Sequence, residues 1–178
     1  MASNVPGFSV PVEIMDNLCD YYGKSLVLPI GLDGVALFKA IADVESSYGT
    51  MALPRHEKAY DWGGRYATPN LLRQYGSWAA HSYGPFQVMY PTIREMGLDV
   101  TPLAAAQDAT VSAGAACRLI NKRLIKQIPT GCTIDVAIRT IGDGYNSGTA
   151  MDSVVPERYI EKLQSAYQAR LDERRHIK

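Results

Sequence analysis

The sequence predicts a mainly α protein, a single domain over residues 1–178 with about seven to eight helices and an irregular or small β insert near residues 50–68. Two observations carry that prediction. Apolar residues recur at spacings of three and four along most of the chain, and proline, glycine and capping residues fall between those runs. Only residues 50–68 lack a period of either kind, and they hold Pro54, Gly63 and Gly64 among charges and aromatics.

Residues 1–8 read as a loose arm. A first helix is expected from Ser9 onward, with Pro11 near its start, Gly23 after its end, and Val12, Met15, Leu18, Cys19 and Tyr22 on its apolar face. The next run, residues 33–49, organises the chain. Asp33 can cap it and Gly49 can stop it. Phe38, Ile41, Glu45 and Tyr48 follow helical spacing, so a carboxyl group falls on the apolar stripe, where an unpaired charge is costly. Burial beside Ile41 and Val44 and the negative end of the helix dipole both favour the neutral acid. A protonated glutamic acid is what general acid catalysis needs. The alternative is a glutamate that bends into solvent.

Residues 69–75 predict a short helix capped by Thr68, and Gly84-Pro85 a turn at which Pro85 opens a helix. Residues 91–96 form another short helix ending at Gly97. From Thr101 to Ile128 one apolar face runs through Leu103, Ala106, Thr110, Ala113, Cys117, Ile120 and Leu124, which reads as one continuous, central buried helix stopped by Pro129 and Gly131. A helix over 133–141 follows, with Val136, Ala137 and Ile141 inward. Gly142, Gly144 and Gly148 then surround Tyr145-Asn146-Ser147, and Gly142-Asp143-Gly144 reads as a turn. Pro156 starts the final helix, striped by Ile160, Leu163, Tyr167 and Leu171. Its Arg170, Arg174, Arg175 and Lys178 read as a solvated, dipole-favoured end.

Composition narrows the function. Eighteen basic and eighteen acidic side chains balance, so no basic surface for nucleic acid is expected. Cys19, Cys117 and Cys132 have neither disulfide nor zinc spacing and read as packed thiols. His56, His81 and His176 lack ligand spacing, no Gly-x-Ser-x-Gly elbow occurs, and Gly142-Asp143-Gly144 lacks the lysine of a phosphate loop. No metal and no cofactor is expected. Nor is a signal peptide or membrane span.

Three short motifs stand in a telling order: Glu45-Ser46 at a helix end, Gly84-Pro85-Phe86-Gln87 about 40 residues later, then Tyr145-Asn146-Ser147-Gly148, with Tyr159 on the last helix. In that order and spacing, residues 35–167 resemble the lysozyme-like superfamily of soluble lytic transglycosylases and goose-type lysozymes. Pro85-Phe86 departs from that family's Leu-Met. Residues 54–62 look more like the Arg-x-Glu segment of some phage-derived muramidases, which points to an endolysin or virion-associated enzyme.

The resemblance implies cleavage of the β-1,4 bond between N-acetylmuramic acid and N-acetylglucosamine. Glu45 would be the general acid. Ser46, Gly84, Gln87, Tyr145, Asn146 and Tyr159 would line the cleft, and Tyr159 would hydrogen-bond Glu45 or the substrate. Glu57 or Asp61, both in the insert, would activate water, with Glu57 favoured; failing both, attack by the muramoyl 6-hydroxyl would give an anhydro product. Implied partners are peptidoglycan glycan strands, with a holin or virion proteins for delivery to the wall. The chain is expected to act as a monomer. A wall-binding or virion protein of the same fold without chemistry is the rival.

Overall fold

The computed structural model describes residues 9–29, 31–147 and 157–176. The arm at 1–8, Gly148, Pro156 and Lys178 lie outside the described residues. The fold is mainly α, with a small antiparallel sheet, as the spacing of apolar residues predicts.

Helix α1 (Val12–Lys24) starts after Pro11 and buries Met15, Leu18 and Cys19. Helix α2 (Gly34–Ser46) begins where the sequence places it: the Asp33 side chain accepts from the Ala36 N–H at 2.9 Å. Val35, Ala36, Leu37, Phe38, Ala40, Ile41 and Ala42 are all buried along this helix, which makes it a central rod of the core. It ends earlier than Gly49. Ser47 and Tyr48 are themselves left-handed (φ 49° and 56°), and the Tyr48 N–H returns to the Ala42 carbonyl at 3.0 Å. Tyr48 therefore leaves the Glu45 face, and its hydroxyl donates to Asp16 instead.

Strands β1 (Arg55–His56), β2 (His81–Tyr83) and β3 (Val88–Met89) pair in that order, with Arg55 opposite Ser82 and Ser82 opposite Met89. The expected insert thus supplies only the first strand, and the other two come from the 81–90 segment. Between β2 and β3, residues 84–87 form a tight turn closed by Gln87 N–H to the Gly84 carbonyl at 3.0 Å. Pro85 does not open a helix. The next helix, α4 (Tyr90–Glu95), starts only after β3, while α3 (Pro69–Tyr75) precedes β2 and has no side-chain cap from Thr68.

The run over 101–128 is not one helix. It is α5 (Pro102–Gln107), α6 (Ala109–Leu119), a π-helical turn at Ile120–Leu124 and a 3-10 turn at Ile125–Gln127. Asp108 breaks it: its backbone is extended (φ −120°, ψ 106°) and its carboxylate caps α6 through the Thr110 N–H at 2.8 Å. The break rotates the stripe, so Leu103, expected inward, is 65% exposed. Buried α6 packs against α1 and α4.

Helix α7 (Ile134–Ser147) runs straight through Gly142 and Gly144, so Tyr145 and Asn146 sit on its last turn rather than in a glycine loop. At Gly142 a β-carbon would lie 2.9 Å from both Ile160 Cδ1 and Leu163 Cδ2. The glycine is there because the final helix, α8 (Glu157–His176), presses on α7. Val136, expected inward, is 41% exposed, while Ala137, Ile138 and Ile141 are buried. Nor is the basic end of α8 merely solvated: Arg170 grips Asp43 with two 2.7 Å hydrogen bonds, and Arg174 reaches Asp33 at 2.9 Å. The three cysteines are free. Among the described residues no helix is long and apolar enough to cross a membrane.

Candidate active site

Four elements bring side chains together at the C-terminal end of α2. Glu45 lies in the last turn of α2, and its side chain is only 7% exposed. From the first turn of α8, the Tyr159 hydroxyl donates to Glu45 Oε1 at 2.8 Å. From the last turn of α7 come Tyr145 and Asn146. From β1 comes Arg55, whose Nη2 approaches Glu45 Oε2 to 3.8 Å and whose Nε donates to Glu57 Oε1 at 2.9 Å.

A groove of about 240 Å³ opens here, walled by Glu45, Arg55, Glu57, Gln87, Tyr145 and Asn146; Tyr159 lines neither it nor the hollow beyond Glu45, and stands behind the acid. A wider hollow of about 590 Å³ lies on the other flank of Glu45, bounded by Val44, Met51, Leu53 and His56. The two share Glu45, Arg55 and Gln87, so open space continues on both sides of the acid.

Burial pushes the Glu45 carboxyl above the ordinary glutamate range. The Tyr159 hydrogen bond and then the Arg55 charge pull it down, and the Glu57 charge pushes it further up; burial wins. Tyr159 and Tyr145 are themselves raised well above the usual phenol value by burial first and by the Glu45 charge second. Both stay protonated donors. The arrangement sets one buried carboxyl, raised above the ordinary glutamate range and met by a hydroxyl donor, against a groove that carries a second, more exposed carboxylate.

Several expected site residues have other tasks. Ser46 is buried, and its hydroxyl donates to the Pro85 carbonyl at 2.7 Å and accepts from the Gly49 N–H at 2.8 Å. It ties the end of α2 to the 84–87 turn, and it borders the wider hollow but not the smaller groove. Gly84 does not line the groove either. It adopts φ +69°, packs on Ser112 of α6, and faces a separate hollow with Pro85. Asp61 lines neither flank of Glu45; its carboxylate pairs with His56 Nε2 at 2.9 Å. Of the two candidate bases, only Glu57 borders the groove.

Gln87 borders the groove, and its amide is fully engaged. Nε2 donates to the Leu53 and Gly84 carbonyls at 3.1 and 2.9 Å, and Oε1 accepts from the Ser82 hydroxyl at 2.8 Å. This fixes the amide's orientation, because carbonyls can only accept. Tyr145 closes the same turn, donating to the Phe86 carbonyl at 2.7 Å. The turn 84–87 is therefore held from three sides, by Ser46, Gln87 and Tyr145.

Arg55 is not among the site residues that the sequence singles out. The signal that could have found it is the two-residue spacing from Glu57, which puts both side chains on one side of an extended segment. Arg123 also borders the groove and is paired with Glu95. No protein-family model matches the chain, and no curated protein or solved structure matches it.

Proposed function

We propose that the protein is a glycosidase that cleaves peptidoglycan between N-acetylmuramic acid and N-acetylglucosamine, in keeping with the resemblance of its motifs to the lysozyme-like superfamily. The observation that carries this reading is the Glu45 carboxyl: buried, pushed toward its neutral form, hydrogen-bonded by Tyr159, and bordering a groove that also holds Glu57. A merely structural carboxyl has no reason to sit at a groove wall in an apolar setting that disfavours its charge.

Glu45 gives its proton to the glycosidic oxygen as the bond from that oxygen to the muramoyl C1 breaks. A water on the opposite face loses a proton to Glu57, and its oxygen bonds to C1. The pair ends with Glu45 ionised and Glu57 protonated, and a proton passing through solvent resets them. Both carboxyls contact the same guanidinium, at 3.8 and 2.9 Å, and this mechanism needs about 6.5–9.5 Å between them for water to fit.

The test is clearing of purified peptidoglycan by wild type and Glu45→Gln, followed by product masses. Wild type should clear it and release products with intact reducing ends. The variant should lose on the order of 10²–10⁴-fold in rate while folding and still sedimenting with the wall. Undiminished clearing by Glu45→Gln removes this mechanism. Products lighter by one water assign the second step to the muramoyl 6-hydroxyl rather than to Glu57.

A further inference from the structure

Arg55 opens β1, opposite Ser82 in the sheet. Its guanidinium meets both groove carboxylates, but unequally. The 2.9 Å contact to Glu57 is a full hydrogen bond. The 3.8 Å approach to Glu45 is too long for one, though near enough for attraction between charges. The groups facing Glu45 are Tyr159 from α8, Tyr145 from α7, and Arg55 and Glu57 from β1 and the residue that follows it. A single cation thus stands between two acids. The trio is electrically neutral when Glu45 holds its proton and Glu57 does not. Ionising both leaves a net negative charge on the groove wall.

We propose that Arg55 is the positioning residue of this site: its hydrogen bond aims Glu57 into the groove, while its guanidinium attracts Glu45 without bonding it. The proposal rests on the sugar-cutting reading of the same groove. Arg123 cannot take over the task, because it is committed to Glu95. Lysine would keep the charge but not the planar fork that bonds one carboxylate while reaching toward another. Arg55 is 56% exposed, so its removal should leave the fold intact.

The experiment uses the intact protein with Arg55→Met and Arg55→Lys. Two quantities are read: the pH at which the Glu45 carboxyl titrates, followed by carbon-13 NMR and assigned with Glu45→Gln, and kcat and KM against pH on soluble peptidoglycan fragments. In Arg55→Met, Glu45 should hold its proton to higher pH. The kcat should fall on the order of a hundredfold with little change in KM, because a misaimed base costs rate rather than binding. Arg55→Lys should return the titration toward wild type and leave kcat low. An unchanged titration and kcat in Arg55→Met overturns the proposal, and so does a raised KM with intact kcat, which would make Arg55 a substrate-binding group alone. If wild type releases no product, the glycosidase reading fails, and the NMR titration still decides whether Arg55 governs the Glu45 proton.

Discussion

Gly84→Ala should destabilise the protein measurably, and the structure fixes how much. Gly84 has φ +69°, a left-handed conformation that costs a residue with a side chain about 1–2 kcal/mol. An added methyl would also lie 2.3 Å from Ser112 Oγ and 2.7 Å from Ser112 Cβ. Ser112 is fully buried on α6 and cannot swing away, so overpacking adds about 1–3 kcal/mol. The sum is about 2–5 kcal/mol, or a fall in Tm of about 4–20 °C for a chain of this size. Thermal melts of Gly84→Ala, Ser112→Gly and the double variant separate the two contributions. The double variant should recover the overpacking part and keep the conformational part, giving a coupling of about 1–3 kcal/mol. Activity should fall further than the unfolded fraction accounts for, since residues 84–87 hold Gln87 and the carbonyls that anchor Ser46 and Tyr145. A Gly84→Ala protein that melts with wild type, or strictly additive effects, refutes the close approach of the turn to α6.

Stability should respond to Glu45 in the opposite direction to activity. Its carboxyl is raised in the fold, so the stability it contributes is present below the ordinary glutamate value of about 4.5 and is lost as pH climbs through the folded value. Glu45→Gln should therefore be more stable than wild type at pH 8, with the gap closing toward pH 4 in urea melts; a gap that does not change with pH contradicts the burial argument. Tyr159→Phe removes the donor to Glu45 Oε1, a bond that favours the ionised form by about 1.5–3 kcal/mol. The alkaline limb of its pH–activity profile should move upward, and an unmoved limb means that Tyr159 does not tune the acid. Arg170→Met breaks the two-pronged bond to Asp43 and the stacking of the guanidinium on Tyr48 at 4.4 Å. Both ends of the ion pair are partly exposed, so the cost should be about 1–3 kcal/mol by chemical denaturation, and a loss under about 0.5 kcal/mol would show the pair to be idle.

Residues that obey a local rule are legible in the sequence. Asp33 caps α2 because an aspartate before an apolar run has a free N–H to bond. Glu45 stands out because a charge on an apolar stripe is a violation with few cheap explanations. The glycines are not legible. Gly142 and Gly144 look like turn residues in one dimension, whereas Gly142 is there to let α8 approach, a fact that lives in the partner helix. The break at Asp108 is hidden for a related reason. A tract of alanines has no phase of its own, so the stripe can be drawn through the aspartate that in fact restarts the helix. Arg55 needs the strand as well as the spacing, and a two-residue strand is too short to declare itself.

The pairing of α2 with α8 accounts for a buried acid that local rules disfavour. Tyr159 meets Glu45 near one end of α2. Near the other, Arg174 bonds Asp33, and the Tyr167 hydroxyl accepts from the Asp33 backbone N–H at 3.1 Å. The two helices therefore run antiparallel, with Ile160, Leu163 and Tyr167 buried on α8 and Arg170 clasping Asp43 two residues before the acid. A slip of α8 by one turn would move each contact by about 5 Å and break all of them together. The register that satisfies the two aspartates is thus the register that delivers a phenol to Glu45. The site's unfavourable carboxyl is held by contacts that lie mostly outside the groove, which is why substitutions at Arg170 or Arg174 should alter the rate of catalysis by displacing Tyr159 as well as lowering the melting temperature.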